Sequence, residues 1–497
     1  MQMICFLAII GLTLVIRLFP RLISKRELGV DHWFWKSYVE TYRRDRKFPP
    51  SLPQYVLDEH QWYPPVFPLL LARIPESLFD RFCHTFSVLI DGLRLILLLG
   101  VASWLSQGSV YAIVAAGLVY ATVPILNTYN IQLNPRGLGA LFLDGLMALW
   151  LWLFQFNGPV WIWVGIILLS GLILLTHKMT TQIFWFLCLG AGILTGDWRF
   201  LAMIPVSVLA ALLLSKGFYW NVMRAHWDIV SFWHRNWRWL QAHPVKESPI
   251  YGDPGYETPT KFYRKGLTGN VKHIVSLFAL NPMAWSLLGF LAVLFFRSLR
   301  LEAAESFFLW SALLTILFVL LTAFVNVFKG LGAAYLYLYN ISFPVAVLWG
   351  LTLSRNKADA VGWLLFGAGL GSCLLALYFF YRKIIRSKTL AADVHLEAVF
   401  ADLKQAPKGV VLCLPQQWYD VIAYKTDQSV LYGGHGYGFK RLEPLFPRFL
   451  LSVGDIVRKY HVRYIVALDG YLPSHFIEEI PYNLIKEYGP YRIYEIS

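Results

Sequence analysis

GVDHWFWKSYVETYRRDRKFPPSLPQYVLDEHQWYPPVFPLLLARIP, residues 29–75, follows the first apolar run of the chain. It is too polar to be buried in lipid and too aromatic to be a slack linker. Five carboxylates (Asp31, Glu40, Asp45, Asp58, Glu59) share it with Arg43, Arg44, Arg46 and Lys47. A carboxylate held at a membrane surface, with cations nearby and a greasy wall beside it, suits chemistry on a lipid-borne anion. Whether the chain supplies that wall depends on what flanks the stretch.

The chain has 497 residues, of which 57% are hydrophobic and 15% charged, far from the balance of a soluble protein. Many apolar runs reach the roughly 20 residues that a bilayer crossing requires. The first, near 3–20, lacks a basic leader and a small-residue cleavage site, so it is read as a retained membrane helix rather than a signal peptide. Hydropathy predicts a polytopic α-helical membrane protein with about eleven transmembrane helices. They fall near 3–20, 83–105, 109–126, 137–155, 159–176, 182–196, 200–216, 283–297, 306–325, 341–354 and 360–381. Very short turns, such as 106–109 and 157–159, lie on one side. Residues 21–82, 127–136, 217–282, 326–340 and the tail from 382 lie on the other. Large loops on one face can roof a cavity, because irregular backbone is tolerated where it does not meet lipid.

The sequence divides into a membrane domain, 1–386, with large external loops 21–82 and 217–282, and a soluble α/β domain, 387–497. In the tail, short apolar strands at 409–415, 462–468 and 491–496 alternate with helical stretches at 391–405, 444–460 and 473–488. The glycine-rich 433–438 lacks the strand–turn–helix setting of a dinucleotide site and reads as a loop. In the second large loop, Trp220 and Trp227 are seven apart and interleaved with Arg224, as on one face of an amphipathic interfacial helix.

The formal charge of +14 comes with no nucleic-acid motif, so lipid headgroups or an anionic substrate are the expected counterparts. The five cysteines are scattered, with neither CxxC spacing nor a disulfide framework. Asp31 is the first candidate for chemistry. A carboxylate beside an apolar cavity gains basicity by desolvation and suits a general base acting on a hydroxyl; the same residue also suits an N-cap for a helix from His32. Asp58, Glu59 and His60 form a second acidic or acceptor site, or Asp58 and Glu59 merely balance the basic cluster at 43–47. Arg136, His177, Lys178 and Lys329 each fall where a helix meets the loop-rich face. Together they could neutralise a phosphate leaving group; singly, each could snorkel to the headgroups. Neither His32 nor His60 has metal-ligand spacing with a partner, which disfavours zinc. Asp91, Arg94 and Asp144 lie inside apolar runs, where Asp91 and Arg94 could pair.

Gly-x-Asp followed by aromatics in GVDHWFW (29–35), then KFP (47–49) and YPP (63–65), follow the first helix in that order. In these motifs and in its topology the sequence resembles the GT-C superfamily of integral-membrane glycosyltransferases, including the protein mannosyltransferase and aminoarabinose transferase types. The resemblance implies sugar transfer, with inversion, from a polyprenyl-phosphate-linked donor to an acceptor hydroxyl on a glycan, lipid or protein, with Asp31 as base. It also implies a multi-pass protein of a bacterial or archaeal plasma membrane, its active site and tail outside the cytoplasm. Many relatives carry a second acid close to the first, whereas His32 follows Asp31 here. No cofactor is expected, and a divalent metal is not favoured.

Arg21, Lys25 and Arg26 closely follow the first helix, so the positive-inside rule argues for the opposite orientation. A face that binds lipid phosphate needs positive charge for its own reasons, and that consideration is given precedence. The rival readings are an oligosaccharide or polymer transferase using a pyrophosphate donor, and a non-enzymatic lipid or glycan transporter. The latter often shows paired inverted repeats, and no such repeat is evident.

Overall fold

The computed structural model describes residues 2–23, 31–57, 60–237, 266–297, 301–355, 360–386, 393–414, 418–433, 439–469 and 480–497. The chain forms two compact units: residues 1–24, 82–220 and 267–390 make the first, and residues 25–81, 221–266 and 391–497 the second. The second unit also takes in two segments from earlier in the chain.

The first unit is helical. Among the described residues, five helices are long and apolar enough to cross a membrane, including Gln2–Ile23, Phe86–Leu105, Arg136–Gln155 and Ala303–Phe324. Two bent pairs raise the number to seven if each is one span. Each of the eleven expected stretches carries helix, but the other expected crossings fall on shorter or less apolar helices. The protein is a multi-pass membrane protein.

One bent pair, Val110–Thr122 and Pro124–Asn130, turns by 55°. Pro124 has no N–H to continue the ladder, and the carbonyls freed there find side chains instead. Arg17 donates from Nη1 to the Ala121 carbonyl at 2.7 Å and from Nη2 to Tyr120 at 2.9 Å. Its Nε meets Asp91 at 2.8 Å, and Asp91 also accepts from the Tyr120 hydroxyl at 2.7 Å. Arg94 pairs with Asp144 at 2.7 Å. Asp91 and Arg94 approach only to 4.0 Å, so the pairing expected within one helix yields to closer partners on neighbouring helices. All four charged groups are fully buried and their charges cancel, as burial in an apolar medium demands.

The second unit holds a five-stranded sheet in the order β2-β1-β3-β5-β4. Its strands are β1 (Val410–Leu414), β2 (Ser429–Val430), β3 (Val462–Leu468), β4 (Tyr482–Tyr488) and β5 (Tyr491–Ile496). β1 lies parallel to β2 and β3, while β5 is antiparallel to β3 and β4. The helix expected over 473–488 is corrected: 482–488 is a strand, turned through Gly489 at positive φ into a hairpin with β5. The first long loop joins this sheet at its edge. Tyr55 bridges Val430 in parallel, Val56 and Leu57 donate to the carbonyls of Val430 and Leu431 at 2.9 and 2.8 Å, and Val430 donates back to Gln54 at 2.7 Å.

The helix Asp31–Asp45 is held by the same unit. Phe34, Trp35, Tyr38 and Val39 are fully buried. On its other side the Trp33 ring lies tilted at 5.1 Å from Tyr424, and Glu40 accepts from the Tyr424 hydroxyl at 2.6 Å. The helix Tyr219–Asn236 has the expected two faces. Val222, Ala225, Ile229 and Phe232 are buried, whereas Trp220 and Trp227 are exposed. Phe232 stacks on Phe446 at 5.8 Å, and Arg235 pairs with Glu443 at 2.7 Å.

Candidate active site

The helix Arg136–Gln155 begins where Asn134 and Pro135 arrest the preceding chain. The Asn134 side chain accepts from the Arg136 N–H at 3.0 Å and donates to the Tyr129 carbonyl at 2.8 Å. An Asn–Pro step before an apolar run is a helix-start signal. The helix Lys178–Thr195 begins at a second cap, where His177 in extended backbone accepts from Thr180 N–H through Nδ1. These two N-termini meet: a Cβ on Gly139 would lie 2.9 Å from Thr180 Oγ1 and 3.0 Å from His177 Cβ. Two helix N-termini at one place concentrate partial positive charge and unpaired N–H groups.

Arg136 adds a full charge there. Its guanidinium lies 4.5 Å from the Tyr129 ring centre, and its Nε and Nη1 are buried without a hydrogen-bond acceptor among the described residues. Lys178 is the first, half-buried residue of its helix. Lys329 is also half-buried, in the short turn Asn326–Lys329 beyond the Ala303–Phe324 helix, and donates to Asn326 at 2.9 Å. The structure therefore brings Arg136, His177 and Lys178 to one pair of helix ends. Lys329 lies on the segment leading into that region, whose Gly332 would place a Cβ 3.2 Å from Met179 Cε. His177 has a structural duty there as a cap.

Three tyrosines that sequence reading passed over tie this region together. Tyr335 meets the Tyr129 hydroxyl at 2.9 Å, Tyr337 donates to Gln182 at 2.6 Å, and Tyr339 donates to Asn130 at 2.7 Å. They alternate with leucine in the 3-10 turn Ala334–Tyr339. The available signal was hydroxyls repeated within an otherwise apolar run. Each of those buried hydroxyls requires an acceptor.

Asp31 and His60 belong to the second unit. Asp31 is the first residue of its helix and half-buried, so its carboxylate stands at the helix's electropositive end. His60 is exposed and faces Ser51 in an isolated antiparallel bridge. Asp58 and Glu59 lie outside the described residues. On the same helix, burial raises the Tyr38 hydroxyl well above its usual range. Burial is also the largest influence on Glu40, which is raised despite the Tyr424 hydrogen bond and Lys36 acting the other way.

A multi-helix membrane unit, a long first loop opening on an aspartate-headed helix, and an α/β tail make up an overall fold that this chain shares with solved structures. Among solved structures, ArnT from Cupriavidus metallidurans bound to undecaprenyl phosphate matches with a TM-score of 0.55 at 12% identity, covering 98% of this chain and 97% of that one. The same enzyme in its apo state gives 0.56, at the same identity and coverage. The archaeal oligosaccharyltransferase AglB from Archaeoglobus fulgidus, in complex with an inhibitory peptide and a dolichol-phosphate, gives 0.54 at 11% identity, covering 94% of this chain and 69% of that one. No family model matches the sequence, and no curated protein does.

Proposed function

We propose that this chain is a glycosyltransferase that moves a sugar from a polyprenyl-phosphate-linked donor to an acceptor hydroxyl. The observation that carries the reading is the meeting of two helix N-termini around Arg136, His177 and Lys178, with Arg136 Nε and Nη1 buried without an acceptor among the described residues. It is supported by a fold shared with proteins solved with undecaprenyl phosphate and dolichol-phosphate. Arg136, Lys178 and Lys329 hold the donor phosphate, and His177 shapes the cap between them. Asp31 takes the proton from the acceptor hydroxyl as that oxygen attacks the anomeric carbon. The bond from that carbon to the phosphate oxygen breaks, and polyprenyl phosphate departs with inversion. His60, with Asp58 and Glu59, is assigned to the acceptor side. The reaction takes place on the extracytoplasmic face, without a metal.

The test is transfer by purified protein from a polyprenyl-phosphate sugar. Asp31→Ala abolishes turnover while the melting temperature stays close to wild type; wild-type turnover in that variant would remove Asp31 from the mechanism. Activity destroyed by a chelator and restored by a divalent ion would favour a pyrophosphate donor instead.

A further inference from the structure

At the other end of the first unit, a cavity of about 470 Å³ opens between the far ends of the helices whose starts form the cation cluster. Leu187, Ala191 and Leu194 of the Lys178–Thr195 helix line it, with Phe307, Trp310 and Leu314 of the Ala303–Phe324 helix. The wall is mostly apolar, with Gln155, Thr195, Ser306 and Ser311 as its uncharged polar residues; among the described residues the charges that border it are Asp197 and Arg199, which pair at 2.6 Å. A site of this size and lining takes hydrocarbon.

The two helices run in opposite directions here. Gln182, near the start of one, meets Tyr337 beyond the end of the other, while Leu194 and Ala303 meet at the cavity. Lys178 and the cavity residue Leu194 are sixteen residues apart, a span of about 24 Å at 1.5 Å per residue. An exposed apolar stripe bridges that distance on the Ala303–Phe324 helix: Trp310, Leu317 and Phe324 recur every seven residues, and Lys329 follows. Trp310 belongs to both the stripe and the cavity wall.

We infer that the cavity receives the far end of the donor's isoprenoid chain, and so selects for chain length. The inference rests on the donor reading above, which places the phosphate at the cation end. From there the chain follows the Phe324–Leu317–Trp310 stripe across the bilayer, and its last units enter between Ala191 and Leu314. A short isoprenoid phosphate satisfies the cations but ends before the cavity. A long one gains the additional burial of its terminal units, each methylene adding to affinity.

The test uses undecaprenyl phosphate carrying a diazirine at its far end, photolysed on the full-length protein and mapped by mass spectrometry. Adducts are expected within residues 187–194 and 303–314. They are displaced by undecaprenyl phosphate, are not displaced from those residues by an equal concentration of farnesyl phosphate, and are lost in Ala191→Trp. Adducts scattered over all the apolar helices, or displaced equally by both phosphates, overturn the inference and leave the donor reading standing. A second probe, with the diazirine beside the phosphate, separates the two claims. If it fails to label the chain near Arg136 and Lys178, the donor reading falls, and the length selection with it.

Discussion

Gly139 shows how much one missing methyl can carry. Its Cβ position is occupied in advance by Thr180 and His177, so Gly139→Ala pushes the Arg136 helix start away from the His177 cap. Overpacking of this kind costs about 1–3 kcal/mol. Binding of undecaprenyl phosphate to the purified variant should weaken several-fold; unchanged affinity in a folded variant would separate the cation cluster from the donor. Glu40 carries a pH signature. Burial raises its folded-state pKa above the unfolded value, so its contribution is favourable at low pH and is lost as pH rises through the folded pKa. Glu40→Gln, which keeps an oxygen for the Tyr424 hydroxyl, should therefore melt higher than wild type at neutral pH. That advantage should fade towards pH ~4. An advantage that persists in acid would mean the carboxyl's charge is not the cause.

At the level of elements, the membrane helices are held by charge as well as by packing. Arg17 satisfies the carbonyls of a proline-broken helix while balancing Asp91, and Arg94 balances Asp144 from a neighbouring helix. Removing one member of a buried pair strands the other and costs about 3–5 kcal/mol, whereas replacing both with apolar residues is far milder. Arg94→Met should strongly lower the thermal stability of the detergent-solubilised protein. Arg94→Met with Asp144→Leu should recover most of the loss. Equal damage in the single and double variants would show that the pair is not the unit that matters.

On the scale of the whole molecule, the second unit is a composite of three chain segments. The segment at 54–57 extends the tail's sheet, Tyr424 and Trp33 clasp the Asp31 helix to the tail, and Phe446 and Glu443 receive the Tyr219–Asn236 helix. The tail is therefore expected to hold the candidate base in place. A chain ended after residue 390 should keep its membrane helices yet become sensitive to limited proteolysis within 31–57. Full protection of that segment without the tail would show that it folds independently.

Apolar run lengths and loop asymmetry were enough to fix a multi-helix membrane protein, and Asp31 stood out because its motif opens the first loop. Short-range physics also gave the helix near 137–155, the two faces of the Tyr219–Asn236 helix, and β1, β3 and β5. The strand at 482–488 was not legible, because it is held by pairing with β5 rather than by its own pattern. The partners of Asp91, Arg94 and Asp144 were hidden for a related reason: they sit on other helices, up to 74 residues away. Nor could local sequence reveal that 54–57 would pair with β2, or that Tyr335, Tyr337 and Tyr339 would tie helix ends together. Hydropathy and capping act over a few residues, and one chain displays them. Ion pairs, sheet edges and meeting helix ends depend on which segments become neighbours, and only the folded chain decides that.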